Sequence, residues 1–153
     1  MSLVSVLVPI YNVEEYLNQC LNSLAMQTLE DIEIICINDG STDSSSRILQ
    51  KYAKKHKNFI VINKKNSGYG DSMNRGLEKA TGEYIGIVES DDFIELNAFK
   101  ELYNLAKKTS ADIVKANYFY HTDNSDEVHR VIKDQKLDTP MSLVDNPSIL
   151  LEE

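Results

Sequence analysis

Through its first 117 residues the chain alternates between two hydrophobic rhythms. Short β-branched runs recur: Val4-Ser5-Val6-Leu7-Val8, Ile32-Glu33-Ile34-Ile35-Cys36-Ile37, Phe59-Ile60-Val61-Ile62, Tyr84-Ile85-Gly86-Ile87-Val88 and Ile113-Val114. Near-continuous apolarity of this kind suits strands covered on both faces, as in a parallel sheet. Between the runs the spacing turns helical. Val13, Tyr16, Leu17, Cys20, Leu21 and Leu24 make one apolar stripe; Ile48, Leu49, Tyr52 and Ala53 make a second; Leu96, Phe99, Leu102, Tyr103 and Ala106 make a third. A weaker helix is expected over 71–80, with Gly82 just beyond it as a C-cap.

The resulting order, β-α-β-α-β-α-β-α-β, predicts an α/β domain: a Rossmann-like, open, mostly parallel sheet flanked by helices, with right-handed crossovers. Ligands of such sheets bind beyond the carboxyl ends of the strands. That rule selects Pro9-Ile10-Tyr11-Asn12, Asn38-Asp39-Gly40-Ser41-Thr42-Asp43, Lys64-Lys65-Asn66-Ser67-Gly68-Tyr69-Gly70 and Glu89-Ser90-Asp91-Asp92. Polar and turn-forming residues gather in these four places.

From His121 onward the rhythm fails. Residues 121–147 are rich in Asp, Thr, Asn and Lys, with one alternating piece at 128–132. Asn146-Pro147 reads as the N-cap and first position of a helix over 148–153 that the chain end cuts short, so a longer parent protein is expected.

Composition narrows the function classes. The 153 residues carry 16 Lys+Arg against 24 Asp+Glu, a net charge of −8, which argues against nucleic-acid binding but not against a phosphate ligand held through a metal or backbone amides. A hydrophobic content of 42% with 26% charged residues is that of a folded globular domain. No apolar stretch approaches the ~20 residues that span a bilayer, and the N-terminus lacks the basic region and cleavage signal of a secretory leader. Cys20 and Cys36 lie inside apolar patterns without metal-ligand spacing, so both read as reduced core thiols. The cytoplasm is the expected compartment.

Three acids in Glu89-Ser90-Asp91-Asp92 crowd the turn after a buried strand, where like charges repel unless a cation sits among them. Carboxylates with no His or Cys nearby select a hard divalent ion, Mn²⁺ or Mg²⁺, which usually also binds a substrate phosphate. The competing reading is an acidic turn in which Asp91 or Asp92 caps the next helix near Glu95. In the second segment Ser41, Thr42 and Asp43 suit caps for a helix starting near Ser44, whereas Asp39 is not needed as a cap. Projecting into the crevice, it can accept from a base imide N–H or a ribose hydroxyl. The third segment lacks the closing Gly-Lys-Ser/Thr of a Walker loop and reads as an ordinary loop, with Arg75 as surface charge. His56, His121 and His129 have no partners at ligand or triad spacing, and no Gly-x-Ser-x-Gly elbow occurs.

Together Val8-Pro9-Ile10-Tyr11-Asn12, Asn38-Asp39-Gly40-Ser41-Thr42-Asp43 and Glu89-Ser90-Asp91-Asp92 resemble the signature of family 2 inverting glycosyltransferases of the GT-A fold, over residues 3–117. Within that family the chain is most similar to bacterial enzymes that build capsule, exopolysaccharide or lipopolysaccharide chains. The resemblance implies that Pro9 and Tyr11 line a uracil pocket, that Asp39 accepts from the uracil imide, and that Lys65 and Asn66 lie along the nucleotide's edge. It places Glu89 towards the ribose and Asp91 on the metal, with Asp92 as the alternative ligand. It implies a UDP-sugar donor, a saccharide or lipid-linked acceptor, and a site of action in the cytoplasm or at the inner face of the cell membrane, reached by peripheral association. Residues 1–117 then form the nucleotide-sugar-binding half and 118–153 begin the acceptor side. Glu89 departs from the family's usual Asp, and the general base is expected downstream of this chain, so no catalytic base is assigned.

Two other classes compete. A nucleotidyltransferase needs a Gly-rich basic loop after the first strand, where this chain has Ile10-Tyr11-Asn12-Val13-Glu14-Glu15. A non-catalytic α/β scaffold of the receiver type needs a lone Asp after the third strand, where this chain has Asn63-Lys64-Lys65.

Overall fold

A computed structural model describes residues 2–116 and the backbone of 118–122 and 125–129. Its elements are β1 (Val4–Ile10), α1 (Leu17–Ala25), β2 (Ile32–Asp39), α2 (Ser45–Lys55), β3 (Phe59–Lys64), α3 (Tyr69–Lys79), β4 (Tyr84–Ile87) and α4 (Ala98–Thr109), followed by β5 (Tyr118–Thr122) and β6 (Ser125–His129). Strands β1 to β4 form a parallel sheet of order β3-β2-β1-β4, while β5 and β6 pair as a separate antiparallel ribbon.

The apolar runs explain this order. Every residue of β1 and β2 is buried, so these two strands occupy the middle of the sheet. One face packs Leu17, Leu21 and Leu24 of α1, Leu49 and Tyr52 of α2, and Phe99 and Leu102 of α4 against Val6, Val8 and Ile34. Leu7, Ile35 and Ile37 point the other way, joined by Ile60, Ile62 and Met73, the last from α3. The chain steps outward from β1 through β2 to β3, then returns to the far side of β1. Reversing direction while keeping right-handed crossovers moves the connecting helix to the opposite face, which is where α3 lies. The reversal makes the carboxyl ends of β1 and β4 the switch point of the sheet.

Pro9 fits inside a central strand because of where β4 stops. Val88 N donates to Leu7 O at 3.1 Å, so the odd-numbered backbone groups of β1 face β4. The β1–β4 pairing ends at Leu7↔Ile87, and the missing N–H of Pro9 therefore deprives no strand partner.

The amino ends of the strands are fastened by a polar cluster centred on the buried Ser5 and Glu33. Ser5 Oγ donates to Glu33 Oε1 at 2.5 Å, and Thr81 donates to the same oxygen from its N–H at 2.7 Å and its hydroxyl at 2.9 Å. Gly82 N donates to Ser5 Oγ at 2.7 Å. Burial alone raises the Glu33 carboxyl, but the donors from Ser5 and Thr81 outweigh it and hold the group below its ordinary range.

Several expectations need correction. Ile113 and Val114 are not a strand: Ile113 is 67% exposed, and both residues line an apolar groove of about 260 Å³ with Ile85, Phe99 and Leu102 beside the free edge of β4. A two-residue apolar run satisfies a groove as well as a ladder, and periodicity cannot separate them. Gly82 is not a left-handed C-cap. Helix α3 ends at Lys79 with an extended Ala80, and Gly82 is glycine because a Cβ there would lie 2.5 Å from Ser5 N. Leu96 precedes α4 and is exposed. The α1 stripe begins before its helix, since Val13 and Tyr16 lie in the turn that leads into it and Tyr16 is exposed. The alternating piece at 128–132 enters the structure only through β6, and the expected helix over 148–153 lies outside the described residues.

Removing the Glu33 acceptor while the Ser5 hydroxyl stays buried is expected to cost about 1–3 kcal/mol in Glu33→Ala, and less in Glu33→Gln, which keeps one acceptor oxygen. Because the folded carboxyl titrates lower than the unfolded one, the wild-type advantage is full above the ordinary value of 4.5 and fades as pH falls through the lower folded value. Urea unfolding of wild type and Glu33→Gln between pH 7 and pH 3 checks both statements.

Candidate nucleotide-sugar site at the carboxyl edge of the sheet

The four segments singled out by the sequence all emerge at the carboxyl edge of the sheet. The register sets Ile10 beside Asn38, Asn38 beside Asn63 and Asp39 beside Lys64. Asn38 Nδ2 donates to Asn63 Oδ1 at 3.0 Å and Ser41 N donates to Asn38 Oδ1 at 3.1 Å, so the β2 end is pinned sideways and forwards.

Asp39 is the hub. One oxygen accepts from Lys64 Nζ and from Ser67 N at 2.9 Å; the other accepts from Gly68 N at 2.9 Å. These amides belong to the junction that opens α3, where Gly68 takes a φ of +92°. The carboxylate therefore sits at a helix amino end, where backbone donors and the dipole favour negative charge. Burial raises the Asp39 carboxyl, yet Lys64 and the two amides outweigh it and hold it below the ordinary carboxylate range. Lys64 is shared: its Nζ also lies 3.0 Å from Asp71 Oδ2 and donates to Ser67 Oγ at 2.6 Å. With φ at +71°, Gly40 brings the β2–α2 loop so close that a Cβ would lie 2.8 Å from Asn66 N.

The loop after β1 is laced to the loop after β2. Asn12, itself at a positive φ of 52°, donates its N–H to Ser41 Oγ at 3.1 Å and accepts on Oδ1 from Thr42 N at 2.8 Å. Glu14 N donates to Asp43 Oδ2 at 3.0 Å, and Ser44 N donates to Glu14 Oε2 at 2.7 Å. Asp43 Oδ1 accepts from Ser45 N at 2.9 Å, so it serves the start of α2 as expected, but Ser41 and Thr42 chiefly join loop to loop. Tyr11 stands half-exposed in the loop after β1, while Lys65 and Asn66 are exposed in the loop after β3.

Beyond β4, Asp92 N donates to Glu89 O at 3.1 Å, closing a turn that leaves Asp91 and Asp92 exposed. Helix α4 begins only at Ala98, with Asn97 in the N-cap position, so neither aspartate caps it. Tyr69 Oη donates to Glu89 Oε1 at 2.7 Å. Burial first, then this bond to Glu89, pushes the Tyr69 hydroxyl up to about 12, so it remains a donor at neutral pH. Cys20 Sγ lies 3.5 Å from Glu89 O beneath the turn, and burial pushes its thiol up. Both cysteines are buried and free, as expected.

Among the described residues no three His, Cys, Asp or Glu side chains converge as a metal cage. Mg²⁺ usually binds through one or two carboxylates completed by substrate phosphates and water, and the adjacent, exposed Asp91 and Asp92 suit that mode.

Residues 5–149 match the family model described as glycosyl transferase family 2. The chain belongs to this family. Its sheet and flanking helices have the GT-A architecture of solved family members. S. aureus TarS 1-349, solved in complex with UDP-GlcNAc, is 35% identical with a TM-score of 0.69 over 76% of this chain and 34% of that one. The uncharacterized glycosyltransferase EpsJ of Bacillus subtilis is 42% identical over 76% of this chain and 34% of its own length. A poly(ribitol-phosphate) beta-glucosyltransferase of Bacillus spizizenii is 44% identical over 72% of this chain and 18% of its own. The chain thus spans about a third or less of these relatives.

Lys64 and Tyr69 are functional candidates absent from the sequence-based set. The cue for Lys64 is its register opposite Asp39, which needs the strand pairing. Arg75, read as surface charge, is indeed exposed and lies near Asp71 and Glu78. Lys64→Met should move the Asp39 titration upward, because the largest favourable contact of its charged form is lost; carboxyl ¹³C NMR of the two proteins checks the direction.

Proposed function

We propose that this chain is the donor-binding part of a glycosyltransferase that takes a UDP-sugar with Mn²⁺ or Mg²⁺ and transfers the sugar with inversion to a saccharide or lipid-linked acceptor in cell-surface polysaccharide synthesis. The observation that carries the proposal is the placement of two acidic positions on either side of the α3 amino end: Asp39 accepts from Gly68 N, and Glu89 accepts from Tyr69 of the next position. A nucleoside diphosphate needs such a pair of stations, one for the base and one for the ribose and phosphates.

In this reading Asp39, preorganised by Lys64 and two amides, offers a remaining lone pair to the uracil imide, with Pro9 and Tyr11 at the ring and Lys65 and Asn66 along its edge. Glu89 takes the ribose, and Asp91, with Asp92 beside it, would hold the cation. When bound, such a cation neutralises the leaving nucleoside diphosphate. A TarS complex with UDP, at 34% identity, favours uridine as the base. Residues 1–117 form the donor half, and 118–153 open the acceptor side. A carboxylate outside the residues assigned here deprotonates the acceptor hydroxyl, which attacks the anomeric carbon from the face opposite the diphosphate. The enzyme works in the cytoplasm, peripherally at the inner membrane face. No helix of the described residues is long and apolar enough to cross a membrane.

Calorimetry with UDP in saturating Mn²⁺ is expected to show binding, with Asp39→Asn weakening it by about tenfold or more, the worth of a hydrogen bond to a charged group. Asp91→Ala should make the residual affinity independent of Mn²⁺. No binding by a folded wild-type sample would refute the donor-site assignment.

A further inference from the structure

Tyr69 is 54% exposed, and a tyrosine on a surface ordinarily turns its hydroxyl to water. Here the side chain instead runs from the first turn of α3 to the end of β4 and donates to Glu89 Oε1 at 2.7 Å. Its backbone is fixed from behind. Ser67 N and Gly68 N are held by Asp39, and Gly68 O accepts from both Ser72 N and Ser72 Oγ at 3.1 Å.

Glu89 has the opposite problem. Its carbonyl is held by Asp92 N and by Cys20 Sγ, but its side chain carries one more rotatable methylene than an aspartate and leaves a turn at the crevice mouth. A free glutamate in that place loses rotamer freedom when a ligand engages it, which weakens binding. The Tyr69 hydroxyl supplies the restraint. It fixes Oε1 and leaves Oε2 without a bond to Tyr69.

We propose that Tyr69 is a positioning residue that anchors Glu89 through its hydroxyl, so that the free oxygen of Glu89 is preset for the ribose hydroxyl pair of a bound nucleoside diphosphate. The proposal rests on the donor-site reading above and gives the Tyr69 hydroxyl a positioning role in it. It links the two stations mechanically: Asp39 fixes Gly68, Gly68 carries Tyr69, and Tyr69 fixes Glu89. The glutamate, where the family more often has aspartate, is long enough to meet this hydroxyl.

The test compares UDP with 2′,3′-dideoxyuridine diphosphate by calorimetry in saturating Mn²⁺, using the full chain, Tyr69→Phe, Glu89→Ala and the double variant, each checked for folding by circular dichroism. Tyr69→Phe should weaken UDP by about threefold to tenfold, leave the dideoxy nucleotide unchanged, and add nothing on the Glu89→Ala background. Equal weakening of both nucleotides would overturn the proposal, because a structural role does not distinguish them. Unchanged UDP affinity would overturn it too. If the wild-type chain binds UDP, either result leaves the donor-site reading standing; if it binds neither nucleotide, that reading fails first.

Discussion

The carboxylate of Asp39 is the interaction on which the carboxyl edge depends. It lies at the end of β2 and accepts from Lys64, at the end of β3, and from the two amides that open α3. One side chain thereby sets the spacing of two strand ends and the entry angle of a helix. Because the donors come mainly from backbone and from one shared lysine, the anion is stable without an added cation. A preset carboxylate is ready for ligand without reorganising, which is the property that binding sites reward.

The two ends of the sheet solve different problems. At the amino ends the buried Glu33 and Ser5 gather donors from Thr81 and Gly82, and three bonds, one of them from Ser5, meet on Glu33 Oε1. Such a cluster contributes rigidity. At the carboxyl ends Asp39 and Asp43 are each held through both oxygens, whereas the acids beyond β4 stand at the surface. Asp91 and Asp92 stay in solvent, and Tyr11, Lys65 and Asn66 are exposed in the loops after β1 and β3. In a chain of net charge −8 these exposed acids add to the negative potential at this edge, which favours cations there. The groove beside β4, lined by Ile85, Phe99, Leu102, Ile113 and their neighbours, shares no residue with the four strand-end segments.

Much of this architecture was legible in the chain, for reasons that can be named. The runs at Val4 and Ile32 belong to strands buried on both faces, and no amphipathic ambiguity obscures them. Three of the four helices followed from 3.6-residue stripes, the helix expected over 71–80 being the weaker one, and the strand-end rule then located every segment of the candidate site. What failed was local. Ile113-Val114 is too short for periodicity to distinguish a strand from a groove lining, and Gly82 owes its identity to a neighbour 77 positions away, Ser5, whose hydroxyl its amide meets. The partners of Asp39 depend on register, which one sequence does not encode explicitly; Lys64 is the clearest case. Tyr69 was hidden because an exposed aromatic in a glycine-rich loop has no chemical meaning until Glu89 is seen beside it.

The central claim is spatial: the acids beyond β4 and the aspartate at the end of β2 serve one ligand together. A crystal structure of the chain with UDP and Mn²⁺ tests it most directly. The account predicts the uracil imide against Asp39, the ribose at Glu89, and the cation between the diphosphate and Asp91 or Asp92. A nucleotide bound elsewhere, or Asp91 and Asp92 turned to solvent with Mn²⁺ present and UDP in place, would contradict it.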